Sequence, residues 1–312
     1  MLAIVCPGQG SQTPGFLLPW LDLPGLRERA ESISAGTGID VVEHGTISDE
    51  ETIKDTAIAQ PLIVAAGLLT HAALGADGAA SLVAGHSVGE ITAAAIAGVL
   101  DDNSAVRFVA TRARGMAAAS AVTPTGMSAV LGGDSEEVLA RCAELGLTPA
   151  NMNGAGQIVA AGTLDQLGDL LSSPPAKARV IPLKVAGAFH TAHMAPAVAD
   201  LQSLADTLAP ADASIGVISN ADGAVITDGA DVLARLVAQV TSPVRWDACM
   251  HTMLDRGVTG MIELAPAGTL VGLAKRAMKG VETLAVKTPD DLDAAARMLR
   301  DHSDDQTGST TE

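Results

Sequence analysis

Ser81-Leu82-Val83-Ala84-Gly85-His86-Ser87-Val88-Gly89-Glu90-Ile91-Thr92-Ala93-Ala94-Ala95-Ile96-Ala97 is the stretch on which the fold turns. Residues 81–84 are short and apolar, the pattern of a buried strand. The alanine-rich run after Val88 is a good helix former. Between them lies Gly85-x-Ser87-x-Gly89, a turn so sharp that its flanking residues must crowd nothing. Ser87 then stands at a helix N-terminus, where free N–H groups can hold developing negative charge. In this strand-turn-helix setting the serine reads as a nucleophile, and a purely structural turn is the plainer alternative.

Working outward, Leu2-Ala3-Ile4-Val5-Cys6 is a second apolar run, closed by the glycine-rich loop Pro7-Gly8-Gln9-Gly10-Ser11-Gln12. That loop is either a flexible turn or a place where backbone approaches a ligand and Gln9 offers it an amide; it lacks the Lys-Ser/Thr of a phosphate cradle. Ser48-Asp49-Glu50-Glu51 is a capping box and predicts a helix from about 49. Gln60-Pro61 predicts another with Pro61 in its first turn, buried nearly all round and ended by Gly75. Asp101-Asp102 opens a helix bearing Arg107, Arg112 and Arg114.

From Thr125 strands and helices follow in the order β-α-β-β-α-β, that of a ferredoxin-like unit. Beyond it, strands are expected over 215–219, 258–264 and 284–286, and helices over 231–239, 270–278 and from Thr288. The expected fold is therefore α/β, with an α/β-hydrolase-like core and a mostly parallel sheet. The core is assigned to 1–125 and 187–301, the inserted ferredoxin-like βαββαβ subdomain to 126–186, and a disordered tail to 302–312.

Of the 312 residues, 48% are hydrophobic but only 2% aromatic, with no tyrosine. Without aromatic platforms, single-stranded nucleic acid has nothing to stack on. The net charge of −17 opposes duplex binding as well. An anionic substrate must be met by a local basic spot. Cys6, Cys142 and Cys249 are odd in number and show no metal spacing, as expected of reduced thiols in a cytoplasmic protein. Met1-Leu2-Ala3-Ile4-Val5 carries no leader pattern. Residues 57–75 come nearest to a membrane span but are interrupted by Gln60, Pro61, Thr70 and His71.

Ser87 needs a base to take its proton. His86 is adjacent and should diverge from it, His71 lies in a buried helix and His302 in the tail. His44, His251, His190 and His193 are left, and His190, ahead of His193, is favoured because Gly187-Ala188-Phe189-His190-Thr191-Ala192-His193 is a loop-like stretch of small residues that can reach back to the main sheet. More than a hundred residues follow His190, unlike the hydrolase order in which the histidine closes the chain. No acid stands out as a third member, so a backbone carbonyl could orient the imidazole. Arg112 is either a solvated helix arginine or, beneath the pocket, a planar fork for a carboxylate.

Four motifs now stand in order: the 7–12 loop, Gly85-His86-Ser87-Val88-Gly89-Glu90, the arginine helix, and Gly187-Ala188-Phe189-His190. With Gln60-Pro61, Asn153-Gly154-Ala155-Gly156-Gln157, Ser242-Pro243-Val244-Arg245-Trp246 and Leu273-Ala274-Lys275-Arg276, the chain resembles, over about residues 3–300, the malonyl-CoA:acyl-carrier-protein transacylases and the acyltransferase domains of polyketide synthases. The resemblance implies a ping-pong transfer of malonyl through Ser87, with His190 as base and the N–H groups of Gln9 and Val88 as oxyanion hole. It implies Arg112 as the carboxylate partner, the Gln239 carbonyl as the group orienting the histidine, and Phe189 as a bulk that excludes a branching methyl. It implies no cofactor and no metal, a CoA thioester as substrate, and holo acyl carrier protein as partner; composition and charge add the expectation of no nucleic acid and no membrane, and a monomer is expected. Lys184, Arg245, Lys275 and Arg276 are the cations expected to meet the acidic carrier. A serine hydrolase and a catalytically silent binding protein are the competing readings.

Overall fold

The apolar runs 2–6 and 82–85 have no polar face, and both are fully buried side by side at the centre of a parallel sheet. The computed structural model describes residues 1–76 and 78–302. In chain order the elements are β1 (Leu2–Cys6), α1 (Leu26–Thr37), α2 (Val41–Thr46), α3 (Thr56–Leu74), β2 (Leu82–Gly85), α4 (Gly89–Ile96) and α5 (Asp102–Ser120). They continue with β3 (Thr125–Gly132), α6 (Ser135–Glu144), β4 (Thr148–Gly154), β5 (Gln157–Thr163), α7 (Leu164–Ser172), β6 (Ala178–Pro182) and α8 (Val198–Ala205). The chain ends with β7 (Gly216–Ile218), β8 (Val225–Ile226), α9 (Gly229–Ala238), α10 (Trp246–Asp255), β9 (Gly260–Glu263), α11 (Thr269–Ala277), β10 (Glu282–Ala285) and α12 (Leu292–His302).

The larger sheet has the order β10-β9-β1-β2-β7-β8, parallel except for β8. Cys6 pairs in register with Gly85, so the loops leaving β1 and β2 emerge level with each other. Open parallel sheets place ligands at such carboxyl ends. The smaller sheet is antiparallel, in the order β4-β5-β3-β6. Its period-2 alternation splits two apolar sets. Val130, Ile158 and Val180 pack with Val138, Cys142, Leu167 and Leu170 of α6 and α7. Met127, Ala129, Val159 and Ala161 face the other way and join the main core. Val244 docks onto the edge of β4, donating to Ala150 O and accepting from the Met152 N–H, both at 2.8 Å.

Several local expectations fail for identifiable reasons. The 48–51 capping signal starts no α-helix: Asp49 accepts from the Thr52 N–H at 2.9 Å and only a 3₁₀ turn, Thr52–Lys54, follows. Asp55 then caps α3 through the Ala57 N–H at 2.7 Å, so Pro61 lies inside the helix rather than in its first turn. Burial of nearly every residue from Ala59 to Thr70 outweighs the backbone bond that the proline ring forfeits. α3 is long and apolar enough to cross a membrane by length and composition, since Gln60, Pro61, Thr70 and His71 do not break it; it packs instead inside the fold against α4 and α5. The helices α1, α2 and α10 were not expected from the sequence; α1 and α10 have no side chain capping the first turn, and α2 spans only Val41–Thr46. His302, expected in a disordered tail, ends α12 with its ring against Thr259 Oγ1 at 2.8 Å and Glu282 at 3.0 Å. The rest of that expected tail, 303–312, lies outside the described residues.

Candidate active site

The turn from β2 to α4 is built on two close approaches. A Cβ on Gly85 would sit 1.9 Å from the Gly89 carbonyl carbon, and one on Gly89 would sit 2.2 Å from the Cys6 carbonyl oxygen. Neither contact can relax, because each obstacle is backbone. Ser87 between them adopts φ +54°, the left-handed region that projects its side chain away from the turn. Gly89→Ala is therefore expected to cost at least about 3 kcal/mol, at the upper end of overpacking effects, read as a fall in the urea midpoint at unchanged slope.

His190 reaches back from the segment after β6 to place Nε2 2.7 Å from Ser87 Oγ. Its Nδ1 lies 2.9 Å from the Gln239 carbonyl oxygen. A carbonyl only accepts, so Nδ1 carries the proton and Nε2 is left to accept from the serine hydroxyl. Thr125 Oγ1 and Thr191 Oγ1 pin the Ala188 N–H and carbonyl, which holds the segment in place. His190 is 3% exposed. Burial first, and the Arg112 guanidinium second, pull its imidazole down to about 3. His193, the other candidate, is exposed and contacts Thr191 only through its N–H. His86 diverges from Ser87 as expected: its Nε2 is 2.9 Å from Asn153 Oδ1 and its ring is edge-on to Trp246.

Arg112 is 1% exposed, not a solvated helix residue. Its guanidinium donates to Gln60 Oε1 at 2.6 Å, to Gln239 Oε1 at 2.7 Å and to Ser87 Oγ at 3.3 Å. Its Nε finds no acceptor among the described residues. Burial pulls the guanidinium down to about 10, against the opposing pull of Glu90. Arg114 points outward and donates to the Thr37 carbonyl. The side chain of Gln9 turns to Thr56 Oγ1 and the Lys54 carbonyl rather than toward a ligand. The backbone N–H groups of Gln9 and Val88 donate to no protein acceptor among the described residues.

An inner pocket of about 90 Å³, lined by Ser87, His190, Gln60, Met116, Phe189 and Val88, opens past Gln9 and His86 into a cleft of about 390 Å³. Arg276 lines that outer cleft; Lys184 and Lys275 are exposed, and Arg245 is paired with Asp247 at 2.9 Å. Among the described residues no three His, Cys, Asp or Glu side chains gather as metal ligands, and the three cysteines are buried thiols.

Sequence reasoning missed Asn220 altogether. Its Oδ1 accepts from the Ser87 N–H at 2.8 Å and its Nδ2 donates to the Gly85 carbonyl at 2.7 Å. The one available signal was its place two residues past β7, at the same carboxyl edge as Ser87. Also unassigned were the side chains of Gln60, Gln239 and Glu90, all buried and all tied to this centre.

A family model described as the acyl transferase domain matches residues 3–311. The malonyl CoA-acyl carrier protein transacylase of Mycobacterium tuberculosis (strain ATCC 25618 / H37Rv) is 52% identical over 302 residues, covering 96% of this chain and 100% of that protein. The crystal structure of MCAT from Mycobacterium tuberculosis superposes with a TM-score of 0.92 at 52% identity, over 95% of this chain and 99% of that one. A malonyl-transacylase solved in complex with the holo form of a type II PKS acyl carrier protein superposes with a TM-score of 0.88 at 30% identity, over 95% and 99%.

Proposed function

The chain belongs to the acyl transferase domain family, and from that membership we propose that it carries malonyl groups from coenzyme A to acyl carrier protein through a covalent Ser87 intermediate. The observation that carries the reading is a buried guanidinium 3.3 Å from a serine oxygen that is itself 2.7 Å from an imidazole. A nucleophile needs the imidazole, and a buried guanidinium whose direct hydrogen-bond partners, Gln60, Gln239 and Ser87, are all neutral calls for an acyl group that brings its own negative charge.

In the proposed route His190 Nε2 takes the Ser87 proton as Oγ bonds to the thioester carbonyl carbon. The resulting oxyanion is held by the Val88 and Gln9 N–H groups. The C–S bond then breaks, and His190 returns the proton to the departing CoA thiolate. The pantetheine thiol of the carrier protein repeats the steps in reverse and leaves with the malonyl group. Arg112 pairs with the malonyl carboxylate, and Phe189 fills the space that a branching methyl would need. The carboxylate has a second effect: by neutralising Arg112 it removes the second largest of the causes, after burial, that weaken His190 as a base. Every proton and charge in this route is met by the chain and its substrates, so it calls on no cofactor. The proposed setting is the cytoplasm, where the transferred unit extends fatty acids.

Intact mass after incubation with malonyl-CoA, without carrier protein, tests the reading. A malonyl increment supports it. Free malonate without an adduct points to a hydrolase, and neither product points to a binding protein.

The pH dependence follows from His190. With its imidazole held near 3, the free enzyme keeps a neutral base well into the acid range. From about pH 7 to about pH 5, kcat/KM for enzyme acylation should show no inflection at the ordinary imidazole value of about 6.5. Stability behaves differently. Below about 6.5 the unfolded chain takes up a proton that folded His190 refuses, so this residue subtracts stability as the pH falls. Urea midpoints over the same range should decline while the acylation constant stays level.

A further inference from the structure

Beneath Ser87 lies a carboxylate that the proposed route does not use. Glu90 sits in the first turn of α4, fully within the fold. One oxygen accepts from the Asn220 N–H at 2.5 Å, and the other accepts from the Gln239 side-chain amide. Asn220 in turn grips the Ser87 N–H and the Gly85 carbonyl. Gln239 carries the carbonyl that holds His190, and its side-chain amide also donates to the Ser87 carbonyl at 3.0 Å. One residue is thus joined to both supports, the one under the serine and the one behind the histidine.

We propose that Glu90 is the positioning residue for the Ser87–His190 pair, its two oxygens holding Asn220 and Gln239 in a fixed relation. The proposal rests on the acylation route above and assigns a residue to which that route gives no role. The geometry asks for two acceptor oxygens here, and since burial pushes the carboxyl up to about 8, the ionised form that satisfies both donors is favoured on the alkaline side of that value, where the comparison below is made. Neither neighbour can turn round to suit another group. The Asn220 donor is backbone, and the Gln239 amide is locked because its Oε1 already accepts from Arg112 at 2.7 Å. A glutamine at position 90 has one acceptor for two fixed donors, so one of them is left buried and unmet. The volume of the side chain is unchanged, which separates positioning from packing.

The test compares wild type, Glu90→Gln, Asn220→Ala and the double variant in single-turnover acylation by malonyl-CoA and by p-nitrophenyl acetate, a neutral donor that makes no use of Arg112. Expected for Glu90→Gln is a melting temperature lowered by a few degrees, the effect of one unmet buried donor, and, at equal folded fraction, a maximal acylation rate lowered about tenfold or more by the displaced Ser87–His190 pair, with little change in KM. Both donors should be slowed alike, and the double variant should be slowed by less than the product of the single effects. A Glu90→Gln rate equal to wild type overturns the proposal. So does slowing confined to malonyl-CoA, which would assign Glu90 to the carboxylate partner Arg112 alone. If Glu90→Gln does not fold, Glu90→Asp serves: its shorter arm keeps the charge but spans only one partner, and an unchanged rate there is equally fatal. A wild type that forms no acyl-enzyme would instead overturn the proposed function.

Discussion

Ser87→Ala is expected to abolish the malonyl adduct and to lower transfer by on the order of 10⁴-fold or more, the scale seen when a nucleophile is removed from a preorganised serine–histidine pair. The loss should fall on chemistry and not on folding. Ser87 already occupies φ +54°, a strain that alanine shares, and its N–H would still reach Asn220. Only the Oγ contacts to His190 and Arg112 disappear. Equilibrium binding of malonyl-CoA should therefore stay within a few-fold of wild type, because Arg112 and the pocket walls remain. Intact mass gives the first result and calorimetric titration the second. An adduct on the alanine variant would mean that another residue carries the acyl group.

Arg112→Gln is expected to invert the acyl preference. Truncating one partner of a buried, hydrogen-bonded charge pair costs roughly 2–5 kcal/mol, or about 30- to 4000-fold. Malonyl transfer should fall within that range, while acetyl transfer, which brings no carboxylate, should hold or rise. Glutamine can still donate to Gln60, but Glu90 loses the guanidinium that opposes its burial. The Glu90 carboxyl, which burial already pushes up to about 8, should rise further, and stability should drop by on the order of 3 kcal/mol. The ratio of malonyl to acetyl rates, compared at equal folded fraction, separates the selectivity effect from the stability effect. An unchanged ratio would remove Arg112 from acyl recognition.

The two glycines around Ser87 were legible because a steric demand leaves a residue-type signature. Gly85 and Gly89 meet backbone at 1.9 and 2.2 Å, and no other residue fits. The ordered strand and helix patterns, including the β-α-β-β-α-β run, were legible because period 2 and period 3.6 are local properties. The helices α1 and α10 were not, since they have neither a capping side chain nor a buried run of small helix formers such as marks α4, and their stability comes from tertiary packing. Arg112 illustrates a deeper limit. On its own helix it is indistinguishable from Arg107 and Arg114, and burial alone separates it from Arg114, which faces solvent.

By itself, then, the chain's sequence determines a sharp turn that presents Ser87, a glycine-rich loop beside it, and the succession of strands and helices. These depend on residue size, backbone freedom and periodicity over a few neighbours. Residue patterns alone left open which histidine reaches the serine and which arginine lies beneath it, which only the family resemblance named; the roles of Asn220 and of the Gln60, Gln239 and Glu90 side chains were decided by the tertiary structure alone. His190 is 103 residues from Ser87, Asn220 is 133 away and Gln239 is 152 away. Such contacts leave no local pattern, because they arise from the parallel register of β1, β2 and β7 and the return of the chain from the smaller sheet, which bring distant segments to one carboxyl edge.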